Sequence, residues 1–452
     1  MSLSRRDFGR LIAGCSATAA LAQFGVSAAL ADTSTYRAMV GVFLFGGNDA
    51  WNMVVPTDSR HATYTTQRGA IALSKDSVIP LTGSAFGLHP ALAPLKTAWD
   101  EGALSAVLNT GTLYQPLTKS VYQNRPELRP LSLMSHEDQQ NEWQGLRMRE
   151  KNLDGFMGRI LDRAQTADLP PLISIAGSQL ALIGSQKAPL ILPSTGALPR
   201  NGYNAATTDA TQKARQAALD TFSDASAFGA MTDLTSRAMS SAYAQADAAN
   251  AVLKSTTSTV DQYFKNPTTG AVLTSDISRQ LLRAARMIEA RGTLGHAKQT
   301  FFVSQGGYDT HTNQVAVHNT LYADLAMALA GFYNAMKALG LANNVTAFTM
   351  SDFGRVFKPN SNGGTDHAWG SNHLVLGAAL APRKVYGAYP DMTFGGVDDA
   401  YNDGRWIPTI AVEEYIGAIA QWYGVSAADM PYVFPNWSTW NGGGRGPVPF
   451  FG

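Results

Sequence analysis

Tyr36 to Phe45 reads YRAMVGVFLF and is closed by Gly46-Gly47, after which the chain turns polar in Asn48-Asp49-Ala50-Trp51-Asn52. A short, almost wholly apolar run bounded by glycines has the character of a strand buried on both faces. Leu104 to Leu108 (LSAVL), Leu172 to Ala176, Gln299 to Val303 and Val345 to Met350 repeat that character. Between them lie stretches of helical type: Pro90 to Glu101, Ser278 to Arg291 and Val317 to Leu339. In the last, Leu321, Leu325, Ala328, Leu329 and Phe332 recur at helical spacing. Strands alternating with helices predict an α/β fold with a mostly parallel central sheet flanked by helices.

One segment departs from this pattern. From about Thr207 to Val260 the chain is rich in Ala, Ser, Thr, Gln and Asp and poor in large apolar residues. Residues 207–260 are expected to form a helical insertion or cap over the sheet, within one domain spanning 32–452. The stretch from Asn436 onward is rich in Gly and Pro and is expected to be irregular.

The 452 residues are 45% hydrophobic, enough for a sizeable core. With 35 basic against 34 acidic residues the net charge is +1, so there is no electrostatic case for nucleic acid or an anionic membrane as partner. A small anionic substrate is compatible with that balance. No other run reaches the roughly 20 apolar residues of a membrane span.

At the N-terminus, Ser4-Arg5-Arg6-Asp7-Phe8 precedes an uncharged, weakly apolar stretch from Leu11 to Ala31 that ends in Ala29-Leu30-Ala31. Paired arginines, a mild h-region and an A-x-A site form the pattern of a twin-arginine signal peptide over 1–31. The expected location is periplasmic or extracellular, with the twin-arginine export machinery as a partner. Ile12-Ala13-Gly14-Cys15 has the look of a lipobox, but four uncharged residues after Arg10 are too few for an h-region of about 7–15. Cys15 is the only cysteine. After removal of the signal the protein has no thiolate, which leaves oxygen and nitrogen as metal donors.

Ligands of α/β sheets sit beyond the carboxyl ends of the strands. Asp49 follows the first predicted strand, and Ser135-His136 comes after the second. Asp309 and His311 follow the fourth in FFVSQGGYDTH, and Asp352 follows the fifth in SDFGR. Asp366 and His367 stand in GGTDHAWG, with His373 six residues on. Carboxylates with neutral imidazoles suit Zn²⁺, Mn²⁺ or Mg²⁺, which polarise phosphoryl or sulfuryl oxygens and acidify a bound hydroxyl. Each residue has a plainer alternative. Asp49 and Ser135 are placed to cap helices, and Asp309-Thr310-His311 to form a turn.

The segments GGNDAWNMVVP, SHEDQQNEW, GGYDTHTNQ and SDFGRVFKPNSNGGTDHAWG together resemble the domain of unknown function 1501 family, grouped with the alkaline phosphatase-like superfamily. That resemblance implies an alkaline phosphatase-like fold with a site for one or two divalent ions. It implies Asp49, Asp309, His311, Asp352 and His367 as ligands, with Asp366, His136 or His373 in reserve, and Ser135 as nucleophile. Arg355 would clamp a non-bridging oxygen. One departure stands out: where the superfamily usually has Asp-His, this chain has Asp352-Phe353. A sulfatase-type formylglycine is also disfavoured, since Ser135 is followed by His136-Glu137-Asp138.

The expected function is therefore a metal-dependent hydrolase of phosphate, less readily sulfate, esters acting on a small anionic or glycan-linked substrate. The alternative is a catalytically inert envelope protein with an assembly or glycan-binding role. A third reading is an enzyme that uses the same carboxylates in other chemistry.

Overall fold

The computed structural model describes residues 36–451 apart from 164–168, 200–202, 205 and 225–229. The twin-arginine segment and Cys15 lie outside the described residues. Among the described residues twelve strands are formed: β1 Arg37–Leu44, β2 Val54–Pro56, β3 Ile79–Pro80, β4 Phe86–Leu88, β5 Leu104–Gly111, β6 Leu172–Ser174, β7 Leu190–Ile191, β8 Lys298–Gln305, β9 Val345–Ser351, β10 Ser371–Leu376, β11 Val385–Tyr386 and β12 Ile410–Ala411. Nine make one sheet, ordered β11-β5-β10-β9-β1-β8-β6-β7, with β12 also on β5; β2, β4 and β3 make a small second sheet.

β1 lies near the middle, parallel to β8 on one side and β9 on the other. Seven of its eight residues are buried, which is why its sequence is apolar without alternation. β10 runs antiparallel to both β5 and β9, so the sheet is mostly, not wholly, parallel. Its polar residues Asn372 and His373 hid it in the sequence. Asn372 donates to the Ala50 carbonyl at 2.9 Å, so the side chain is satisfied inside the core.

Seven longer helices matter for the site and its support: α1 His136–Gly145, α2 Phe156–Arg163, α3 Ala210–Asp224, α4 Ala230–Leu253, α5 Asp276–Glu289, α6 Gln314–Ala338 and α7 Val412–Tyr423. Helices α5 and α6 cover one face of the sheet through Leu281, Ile288, Leu325 and Phe332. Helices α1, α2 and α7 cover the other through Trp143, Ile160, Tyr415 and Ile416. Each such side chain contributes about 1.5–3 kcal/mol by leaving water. Helices α3 and α4 fall in the 207–260 segment and pack on each other, with α4 also touching α5. Among the described residues no helix is long and apolar enough to cross a membrane.

The carboxyl ends of β1, β8 and β9 are level, Leu44 pairing with Gln305 and Ser351. The loops that leave them therefore meet at one rim. Gly46 and Gly47 take φ of 112° and 77°, open to glycine but costly for other residues. A Cβ on Gly46 would lie 2.4 Å from the Asp309 backbone nitrogen, so the rim closes this tightly only with glycine there.

Candidate metal centre

Asp309 stands at the centre of the rim. Its Oδ1 lies 3.0 Å from His311 Nε2 and 3.1 Å from His367 Nε2, and its Oδ2 lies 3.5 Å from His136 Nε2. The Nε2 atoms of His311 and His367 are 3.2 Å apart. His136, Asp309 and His367 offer donor atoms all within 4.8 Å of one another. Donors about 2.0–2.1 Å from a shared zinc ion lie roughly 3.3 Å from each other, and His311 adds a nitrogen beside Asp309 and His367 but stands outside the group of three.

The far nitrogen of every ring is held. His136 Nδ1 is 2.6 Å from Asp352 Oδ2, His311 Nδ1 is 3.1 Å from Asp366 Oδ1, and His367 Nδ1 is 2.9 Å from the Met134 carbonyl. An acceptor at Nδ1 fixes the proton there and leaves the Nε2 lone pair facing the centre. His136 Nε2 is enclosed and has no hydrogen-bond partner. An orphaned imidazole nitrogen beside two more and a carboxylate is a donor set that fits a divalent metal of the zinc class.

The supports are built from local sequence. His136 opens α1, whose cap is Ser135, the Ser135 Oγ accepting from the Asp138 amide at 3.4 Å. Asp352 leaves β9 fully buried and accepts from the Gly46 amide and, at 2.8 Å, from Gln140. Phe353, also fully buried, has its ring centroid 4.8 Å from that of His136 and 4.7 Å from that of His367. Met134 holds a left-handed φ of 70°, which turns its carbonyl toward His367.

Electrostatics follow from these contacts. The hydrogen bond that His136 donates to Asp352 raises the imidazole above its usual value, against the opposing effect of burial. Burial pushes Asp309 up, but the Arg355 guanidinium and the neighbouring imidazoles outweigh it and bring the carboxyl down to about 2. Desolvation lowers His367.

Of the residues singled out in the sequence, Asp309, His311 and His367 converge, joined by His136. Six others sit elsewhere. Asp49 is fully buried and ion-paired with Arg68, with Gln314 donating to the same oxygen, so its charge is met inside the core and not at the rim. Asp352 and Asp366 stand behind His136 and His311 as acceptors, not in the donor set. Arg355 is fully buried and directs its guanidinium to Asp309 at 2.9 Å, Gly46 and Thr365, which leaves no free edge to clamp an oxygen. The hydroxyl of Ser135 is turned to the helix it caps. His373 lies buried between Trp143 and Tyr415, away from the rim donors. The sequence undervalued His136, whose signal was its place one residue after a helix-cap serine. It did not reveal Met134, Phe353 or Arg68 as supports.

Among solved structures the chain is similar to Ps i-CgsB, at 9% identity over 89% of this chain and 77% of that one, with a TM-score of 0.35. It is similar to the lipoteichoic acid synthase LtaP from Listeria monocytogenes at 8% identity over 83% and 76% of the two chains, TM-score 0.30. It is also similar to a mutant of the alkaline phosphatase PafA at 11% identity over 71% and 63%, TM-score 0.28. Likenesses this distant do not bear on the chemistry of the rim. No curated protein matches the chain. A family model described as protein of unknown function (DUF1501) matches residues 36–411, which include every donor of the centre, and the chain belongs to that family.

Proposed function

We propose that this chain is an exported hydrolase of phosphate or, less readily, sulfate esters that depends on one divalent cation held by His136, Asp309, His311 and His367. The observation that carries the reading is the convergence of three Nε2 atoms on Asp309 with every Nδ1 already held. A bound cation supplies polarisation of an ester oxygen and acidifies water at neutral pH.

The protein's own residues do the rest. Asp352, Asp366 and the Met134 carbonyl keep the rings in one tautomer, and Phe353 fixes the angle between two of them. Arg355 keeps Asp309 ionised. The rim is open enough for a substrate, Asp309 being 45% exposed at its side chain. With Ser135 engaged as a cap, water is the nucleophile in this reading and Ser135 a helix-positioning residue. The paired arginines Arg5-Arg6 and the A-x-A site support export in the folded state, in which a metal can be loaded beforehand.

A second reading, a metal-holding but inert envelope protein, is favoured by the Asp49–Arg68 pair, which removes one carboxylate from service. One experiment separates the two. Protein from its native compartment is assayed for metal and for turnover on a panel of phosphate and sulfate esters, beside His136→Ala. Bound metal with turnover, both lost in the variant, supports the hydrolase. Bound metal without turnover supports the inert reading.

A further inference from the structure

Residues 391–405 form an irregular loop, and one carboxylate organises its second half. Asp399 is fully buried. Its Oδ1 accepts from the amides of Tyr401 at 3.0 Å and Arg405 at 3.1 Å. Its Oδ2 accepts from those of Gly395 and Gly404, both at 3.0 Å. Four charge-assisted bonds from the backbone satisfy the buried carboxylate and close the chain around it.

The loop reaches the metal centre through Arg405. Its Nε donates to the His367 carbonyl at 2.9 Å, and its Nη1 is paired with Asp403. The guanidinium carbon stands 4.9 Å from the ring centroid of Tyr401. Asp399 therefore fixes both the main chain of Arg405 and the residue whose ring supports its guanidinium. The His367 carbonyl is open to Arg405 because of the way its segment pairs. His367 forms an antiparallel bridge with Arg355, and the bonds of that bridge run through the neighbouring residues. The Val356 amide donates to the Asp366 carbonyl and the Ala368 amide to that of Gly354, both at 2.9 Å. Just past Arg405, the Trp406 carbonyl accepts from the Gly370 amide at 3.0 Å. The segment that carries His367 is thus held by the loop at two points. The Met134 carbonyl orients the ring of His367, and Arg405 anchors its main chain.

We propose that Asp399 is a positioning residue of the metal centre: through Arg405 it fixes the main chain of His367, and so sets where the His367 Nε2 stands relative to Asp309. The effect on affinity rests on the metal reading given above, whereas the placement of His367 is read in protein without metal. Asparagine at 399 would turn an NH₂ toward two of the four amides and open the loop at that side.

The test uses the full chain as wild type, Arg405→Met, Asp399→Asn and the double variant, with Asp162→Asn as control. Asp162 on α2 is a carboxylate of the same kind, accepting from the Ser185 and Gln186 amides at 2.7 and 3.0 Å, and it bonds to no residue of the rim. In metal-free protein the ring resonances of His367, assigned by their absence in His367→Ala, are expected to shift in Arg405→Met and Asp399→Asn and to stay in place in Asp162→Asn. Zinc affinity, measured by competition with a chromophoric chelator, is expected to fall about 10-fold in each single variant and no further in the double one, as for two residues on one path. Arg405→Met removes the last link and leaves the amides around Asp399 in place, so it answers even where Asp399→Asn does not fold. Unmoved His367 resonances in Arg405→Met or in folded Asp399→Asn, or losses of affinity that add in the double variant, overturn the inference. Wild type that binds no zinc, with the His367 resonances shifted in both variants, refutes the metal reading and upholds the placement of His367 by Asp399.

Discussion

Asp352 meets His136 at 2.6 Å through Nδ1, and this bond decides which nitrogen of His136 faces Asp309. The carboxylate is fully buried and is itself fixed by the Gly46 amide and Gln140. A donor set of three rings needs all three turned the same way, and this contact turns the one that opens α1. Asp352→Asn can present its amide NH₂ to Nδ1 and reverse the tautomer. Metal affinity is expected to fall about 10–100-fold, measured by competition with a chromophoric chelator.

Phe353 fixes the rings sterically. Its packing against His136 and His367 is enclosed by Gly47, where a Cβ would lie 2.3 Å from the Phe353 ring. Phe353→Ala is expected to cost about 3–5 kcal/mol in chemical denaturation. It should also weaken metal binding, whereas Phe353→Tyr should preserve most of both.

Asp49 and Arg68 form a buried ion pair that belongs to the core. Removing one partner strands the other, so Arg68→Met is expected to cost about 3–5 kcal/mol of stability. Asp49→Asn should leave the metal content of the folded protein unchanged. A loss of metal in that variant would return Asp49 to the ligand set.

Without metal, pH acts on the rim in two windows. His136 is raised in the folded state, so its contribution is full below about 6.5 and is lost as pH rises through its higher folded value. Asp309, brought down to about 2, contributes above about 3.9 and loses that contribution as pH falls toward 2. Metal binding must displace the extra proton on His136, so its affinity should rise with pH over the range where the apo protein weakens. Urea titrations with and without chelator between pH 5 and pH 9 would show the opposite slopes.

Ser135 tests cap against nucleophile. Ser135→Ala is expected to lower stability by about 1 kcal/mol through loss of the α1 cap, and Ser135→Asp to restore it. Turnover on phosphate esters should stay within several-fold of wild type in both. A loss of three orders of magnitude would make Ser135 the nucleophile.

The architecture was legible because five strands announce themselves as apolar runs. β1 carries no polar residue after Arg37, and its partners β8 and β9 show apolar stretches, Phe301 to Val303 and Val345 to Met350 broken only by threonine. β10 was not legible, since Asn372 and His373 are polar residues whose partners arrive from distant segments. At the rim, Asp309, His311 and His367 stand out as acids and imidazoles just after strands or glycines. Whether a carboxylate is a donor or a support depends on what reaches it first. Arg68 reaches Asp49, and the His136 and His311 rings reach Asp352 and Asp366, contacts made across up to 216 residues that spacing cannot reveal.

The central claim is a single imidazole-rich centre built on His136, Asp309, His311 and His367. Zinc titration of chelator-stripped wild type, followed by calorimetry, tests it most directly when repeated on His136→Ala, His367→Ala and Asp49→Asn. One tight equivalent in wild type and in Asp49→Asn, abolished in both histidine variants, is the predicted result. No tight zinc in wild type, or tight zinc that survives loss of either histidine, would contradict it.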